Sequence, residues 1–197
     1  ALFDEISAHT SKVTTLRYST SFSLGIRCLH KRFHEPIFNI YGFVRFADEI
    51  VDTFHDYDKE DLLACFIADT HKAIEQGISI NPILNSFQKT VNEYRISLDL
   101  IDTFLRSMEM DLRPQEYNSA SFKEYILGSA EVVGLMCLRV FCENNDELYA
   151  RLTPPAMSLG SAFQKINFLR DLREDTVDLD RVYFPDLDLK NFDAATK

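Results

Sequence analysis

Between residues 37 and 52 (IFNIYGFVRFADEIVD) nearly every side chain is apolar, yet Tyr41, Arg45, Asp48 and Asp52 recur at offsets of 0, 4, 7 and 11. Between residues 156 and 175 (AMSLGSAFQKINFLRDLRED), Gln164, Asn167, Asp171 and Asp175 recur at offsets of 0, 3, 7 and 11. At about 100° per residue each quartet falls on one narrow stripe of a helix. The remaining faces are mostly apolar and call for burial, so both stripes are expected to line an interior cavity. One DxxxD pair alone is an ordinary solvated helix face. Two such pairs in apolar surroundings are another matter, because unpaired buried carboxylates are costly. Hard divalent ions suit such oxygen ligands. Mg²⁺ is the first choice and Mn²⁺ the chemical substitute, and either commonly brings a phosphate-bearing substrate with it.

The 197 residues make one domain, 1–197, long enough for a substantial core. A net charge of −10 argues against nucleic-acid binding, which needs a basic surface. It also means that a polyanionic ligand must be held locally, by arginine and bridging metal. No apolar run reaches membrane-spanning length, and the first residues lack the layout of a signal peptide. A cytoplasmic protein is expected, with peripheral membrane contact possible. Cys28, Cys65, Cys137 and Cys142 show no metal-binding spacing and are expected to be buried free thiols.

Helical periodicity runs through the whole chain. Residues 3–17 form an amphipathic helix, and Ser19–Ser21 cap a second that runs toward Leu29. Pro36 fits the first turn of the helix with the first stripe, and Asp58 and Gly77 bracket another. Asn81-Pro82, Ser97, a capping box at Ser121–Glu124, and Thr153-Pro154 open four more. No hairpin signal interrupts them. The fold class is all-α, a single domain of about eight helices around a central cavity. Residues 181–185 read as a loop and 193–197 as the start of a further helix, as in a piece of a longer protein.

At these residues the chain resembles the squalene/phytoene synthase family, which joins two prenyl diphosphates head to head. The resemblance covers essentially all 197 residues. It is carried by Ser19-Thr-Ser-Phe22, by Tyr41 through the intact Asp48-Glu-Ile-Val-Asp52, by residues 125–141, and by Gln164 through Asp175 to Tyr183-Phe-Pro185. It implies an isoprenoid-synthase-type helical array, here lacking the family's C-terminal helices. It also implies that Asp48, Asp52, Asp171 and Asp175, with Asn167, hold Mg²⁺ against the diphosphates. Arg45 and Arg170 would contact phosphate, and Gln164 would support the second metal cluster. Ser19 and Ser21 would become diphosphate-binding hydroxyls at a helix N-terminus. Tyr41 and Tyr125 would assist proton removal or stabilise a cation, and Phe22, Phe38, Val132, Val133 and Leu159 would line the apolar cavity.

The implied reaction couples two diphosphates through a cyclopropylcarbinyl diphosphate. The wording of residues 128–141 and of ADEIVD is closer to bacterial phytoene synthases, which use geranylgeranyl diphosphate without reductant. Squalene or dehydrosqualene synthesis from farnesyl diphosphate is the alternative, with NADPH required only for squalene. Some positions depart from the family pattern: Thr20 for a basic residue, Glu131 for glycine, Leu127 for tyrosine, and a longer, more acidic loop after Asp175. Two other classes compete. A catalytically inactive scaffold relative should have eroded aspartate motifs, and both are intact. A di-iron carboxylate bundle needs two Glu-x-x-His pairs, approximated only by Asp52-Thr-Phe-His55.

Overall fold

In the computed structural model, residues 1–113 and 118–177 are described, with the side chains of Ser119 and of 171–177 left outside that description. They form α1 (Leu2–Tyr18), α2 (Thr20–Cys28), a 3₁₀ turn (Lys31–Phe33), α3 (His34–Asp52), α4 (Lys59–Gln76), α5 (Pro82–Tyr94) and α6 (Leu98–Asp111). After these come α7 (Ser119–Ile126), a π-helical segment (Leu127–Glu131), α8 (Val132–Phe141) and α9 (Asp146–Val177). The described residues contain no strand. The architecture is the expected all-α array.

Most helix starts follow the predicted chemistry. Ser19 caps α2 through the Phe22 N–H, Asp58 caps α4, Asn81 caps α5 ahead of Pro82, and Ser97 caps α6. Two starts differ. The cap of α7 is Asn118, three residues earlier than the predicted box, with Ser121 as its reciprocal partner. Thr153-Pro154 does not open a helix, because α9 already runs from Asp146, where Asn145 accepts the Leu148 N–H. Pro154 and Pro155 lie inside it. The Thr153 hydroxyl donates back to the Tyr149 carbonyl and keeps the turn before the prolines bonded.

The core is centred on α3. Phe43, fully buried, stacks on Phe87 of α5 at 3.8 Å between centroids, with Phe66 of α4 and Phe104 of α6 at 5.6 and 5.5 Å. Each such ring removed from water contributes about 1.5–3 kcal/mol. α1 packs differently. Its fully buried residues are Ser7, Ser11 and Thr15, whereas Leu2, Phe3, Ile6 and Val13 are exposed, the reverse of the apolar face that periodicity suggests. Ser11 Oγ lies 2.6 Å from Ser86 Oγ of α5. A Cβ on Gly42 of α3 would come within 2.9 Å of Ser11 Oγ. The three helices cross too closely for larger side chains.

The cysteines are free, but only Cys142 is buried. Cys28 and Cys65 are exposed, and Cys137 is half-buried where it packs against the core. No described helix is long and apolar enough to cross a membrane. The loop at 181–185 and the helix start at 193–197 lie outside the described residues.

Candidate active site

The C-terminal half of α3 presents the first stripe. Tyr41, Arg45, Asp48 and Asp52 are all half-buried on a helix whose other faces are largely sealed. A single residue, Ser19, joins α1 to α2 and turns the N-terminus of α2 onto this wall. Phe22 stacks on Tyr41 with centroids 4.7 Å apart. The Ser19 side chain accepts the Phe22 N–H at 3.2 Å and also hydrogen-bonds Tyr41. Ser21 is exposed on the first turn of α2. Burial pushes the Tyr41 phenol above its ordinary value, against the pull of Ser19 and Arg45. Tyr41 is therefore a neutral hydroxyl near neutral pH, suited to polar stabilisation rather than to action as a base.

Arg45 is held from several sides. Its guanidinium carbon lies 4.5 Å over the Tyr18 ring, Nη2 donates to Glu49 Oε2 at 2.8 Å, and Nη1 is 4.0 Å from Asp48 Oδ2. Burial opposes its charge, but the Glu49 hydrogen bond and the field of Asp48 hold it above the usual arginine value. Its Nε is buried with no partner among the described residues. Sequence reasoning missed Tyr18 and Glu49. Glu49 lay in plain view inside the first motif, one turn beyond Arg45.

Asp48 keeps 30% of its side-chain surface in solvent, yet its carboxyl is pushed up to about 7. Desolvation is the largest cause and the charge of Asp52 the next; Arg45 pulls the other way, and Asp111 and Glu49 add to the rise. Asp48 and Asp52 end α3, and Asp111 ends α6. Neither helix has a basic residue in its own last turn, where the helix dipole is negative. Carboxylates placed in this way fit a hard divalent cation, which would replace the proton that Asp48 otherwise retains. Among the described residues no three acids, imidazoles or thiols converge closely enough to hold a metal alone. The first pair would need the second stripe or substrate oxygens to complete a coordination shell.

The second stripe lies on α9. Gln164 and Asn167 are half-buried and linked, Asn167 Nδ2 to Gln164 Oε1 at 3.4 Å, and Arg170 is exposed. Asp171 and Asp175 continue the helix, with side chains outside the described residues. α9 packs mainly on α8 and the π segment, α3 mainly on α1, α5, α4 and α8, so the two striped helices do not pack extensively on each other. Tyr125 links α6 to α9. It is 5% exposed, its hydroxyl donates to Asp111 Oδ2 at 2.8 Å, and its ring lies 6.0 Å from that of Phe168, next to Asn167.

The expected apolar lining divides. Phe22 borders the site and Val133 is half-buried against the core. Phe38 and Val132 are sealed inside the core, because they lie on the buried faces of α3 and α8, and Leu159 is exposed on the outer face of α9. His55, which only approximates a ligand of the competing di-iron class, lies beyond α3 and receives the Lys59 ammonium at 2.9 Å. A groove of about 570 Å³ lies between α4, α6 and α7, lined by residues such as Glu60, Leu63, Arg106 and Glu124, and none of the predicted site residues borders it.

Comparison with known proteins accords with this geometry. The sequence profile of the squalene/phytoene synthase family matches residues 15–197. A presqualene diphosphate synthase of Sinorhizobium fredii is 32% identical over 185 residues, covering 92% of this chain and 63% of that protein. A phytoene synthase of Arthrospira platensis is 29% identical over 203 residues, covering 92% and 62%. The chain thus spans about six-tenths of the length of these curated relatives. A dehydrosqualene synthase structure shares the fold with a TM-score of 0.79 at 23% identity, covering 92% of this chain and 62% of that one. A squalene synthase structure from Alicyclobacillus acidocaldarius does so with 0.81 at 19%, covering 94% and 68%. With both aspartate motifs inside the matched span, the chain belongs to the squalene/phytoene synthase family.

Proposed function

We propose that the full-length protein is a Mg²⁺-dependent prenyltransferase that condenses two prenyl diphosphates head to head through a cyclopropylcarbinyl diphosphate. One observation carries the reading. Ser19, Phe22, Tyr41, Arg45, Asp48 and Asp52 converge on one wall, with a buried guanidinium N–H that has no partner among the described residues and a carboxyl whose desolvation the Arg45 charge at 4.0 Å does not offset. Mg²⁺ bound there would neutralise the departing diphosphate. Ser19, Arg45 and the N-terminus of α2 would bind its oxygens. Tyr41 and Tyr125 would offer their hydroxyl dipoles to the allylic cation, and Phe22 and Val133 would keep water from it.

Two geranylgeranyl diphosphates giving phytoene is the preferred reaction, on the wording of the first motif and of residues 128–141. The similarity to a presqualene diphosphate synthase supports a second reading, in which two farnesyl diphosphates are joined and the product is a cyclopropylcarbinyl diphosphate. Incubating the full-length protein with each diphosphate and Mg²⁺, with and without NADPH, tests both. Mass spectrometry should find phytoene from geranylgeranyl diphosphate without reductant. A C30 cyclopropylcarbinyl diphosphate or its reduced hydrocarbon would favour the second reading. Absence of any C1–C1′ coupled product would overturn the proposal.

A further inference from the structure

Asp111 breaks a local rule. It is the last residue of α6, where the helix dipole disfavours an anion, and Glu109 stands two residues before it. No apolar periodicity required an acid there, and the first motif lies on another helix. The carboxylate nevertheless accepts the hydroxyl of Tyr125, a residue almost wholly buried, at 2.8 Å. Its charge also reaches Asp48 of α3.

The surroundings fix this pair. Just after α7 the π segment presses on α6 so tightly that a Cβ on Gly128 would lie 2.6 Å from Ser107 Cβ and 2.8 Å from the Thr103 carbonyl. π turns of this kind are often found where a helix re-aims a functional side chain. On its other side the Tyr125 ring contacts Phe168, which also meets Phe122 at 5.8 Å between centroids. Tyr125 is thus clamped between the helix end that faces the first motif and the turn of α9 that carries Asn167.

We infer that Asp111 is a positioning residue for the proposed condensation, holding the Tyr125 hydroxyl in one orientation between the two aspartate motifs. A carboxylate acceptor fixes the direction of the phenolic proton and with it the orientation of the hydroxyl dipole. It also enriches the phenol in electron density, which favours a developing carbocation nearby. Asp111 itself does not touch substrate. The inference rests on the condensing activity proposed above and on Tyr125 bordering the reaction.

The test uses the full-length enzyme with Mg²⁺ and its prenyl diphosphate, in the variants Asp111→Ala, Asp111→Asn, Tyr125→Phe and Asp111→Ala/Tyr125→Phe. Asp111→Ala and Tyr125→Phe should each lower kcat about tenfold or more, with KM and the Mg²⁺ half-saturation within about twofold of wild type. The double variant should be no slower than the slower single one, because both remove the same contact. Asp111→Asn, which keeps an acceptor oxygen but loses the charge, should lower kcat several-fold with KM unchanged, and it carries the test should the alanine variant fold poorly. Wild-type kcat in Asp111→Ala, multiplied losses in the double variant, or a raised Mg²⁺ requirement at unchanged kcat would overturn the positioning role while leaving the condensing reaction intact. A wild-type enzyme that makes no coupled product would overturn the reaction and this role together.

Discussion

Arg45 donates to Glu49 at 2.8 Å, while the Asp48 carboxylate is 4.0 Å from it. The guanidinium expected to meet a diphosphate is therefore already engaged by a residue of its own helix. A diphosphate must share or displace that contact. Glu49→Gln should consequently bind a non-reactive thio-diphosphate several-fold more tightly, because a competing anion leaves the site. Calorimetric titration of wild type and variant at one salt concentration checks this. Weaker binding by the variant would show instead that Glu49 aims Arg45.

Asp48 should impose a pH dependence on the metal-free protein. In the folded state its carboxyl keeps its proton up to about 7, whereas the unfolded chain releases it near 3.8. The unfolded state thus binds fewer protons across that window, and folding stability falls as pH rises through it. Above about pH 7 the loss levels off at about 1–2 kcal/mol, once solvent screening of a partly exposed group is allowed for. In EDTA, Asp48→Asn should gain on wild type between about pH 5 and about pH 8 in urea midpoint. A constant difference over that range would contradict the assignment.

With metal and substrate present the same carboxylates should be indispensable. Asp48→Asn, and Asp171→Asn on the second stripe, should leave the circular dichroism spectrum unchanged and reduce turnover of the full-length enzyme at least about a hundredfold. Diphosphate-analogue binding should weaken in EDTA, given the net charge of −10. Near wild-type turnover in either variant, or equal affinity with and without Mg²⁺, would count against the metal role.

Two glycines should respond oppositely to alanine. At Gly128 the added methyl meets the Thr103 carbonyl and Ser107 at under 3 Å, so α6 or the π segment must move, costing about 1–3 kcal/mol. At Gly25, inside α2, nothing lies within 4 Å of the new carbon. Gly25→Ala should therefore stabilise the fold by about 0.5–1 kcal/mol through helix propensity alone. Denaturant midpoints of the two variants measure both signs.

The first stripe was legible because its chemistry obeys the helical period: Tyr41, Arg45, Asp48 and Asp52 do share one wall. Asp111 was not legible. Its relation to Tyr125 and Asp48 arises only when α3, α6 and α7 meet, and no single-helix pattern encodes that. α1 was misread for a different reason. Periodicity weighs side chains by hydrophobicity, but a very close helix crossing selects them by size, so Ser7, Ser11 and Thr15 are buried and Ile6 and Val13 are left outside. In α9 the prolines read as a start, because sequence alone shows a missing N–H and not the turn already formed before it.

That close crossing acts as a lever. α1 is one continuous helix of 17 residues, and only Ser19 separates it from α2. The thickness of the Ser11 side chain, wedged between Gly42 and Ser86, therefore sets the height at which α1 rides over α3 and, at its far end, where Ser19 and Phe22 meet Tyr41. A bulkier residue at Ser11, two helical turns from Ser19, would tilt the N-terminal end of α2 away from Arg45 without touching either. The position of the wall around Tyr41 is thus tied to a hydroxyl that never contacts it.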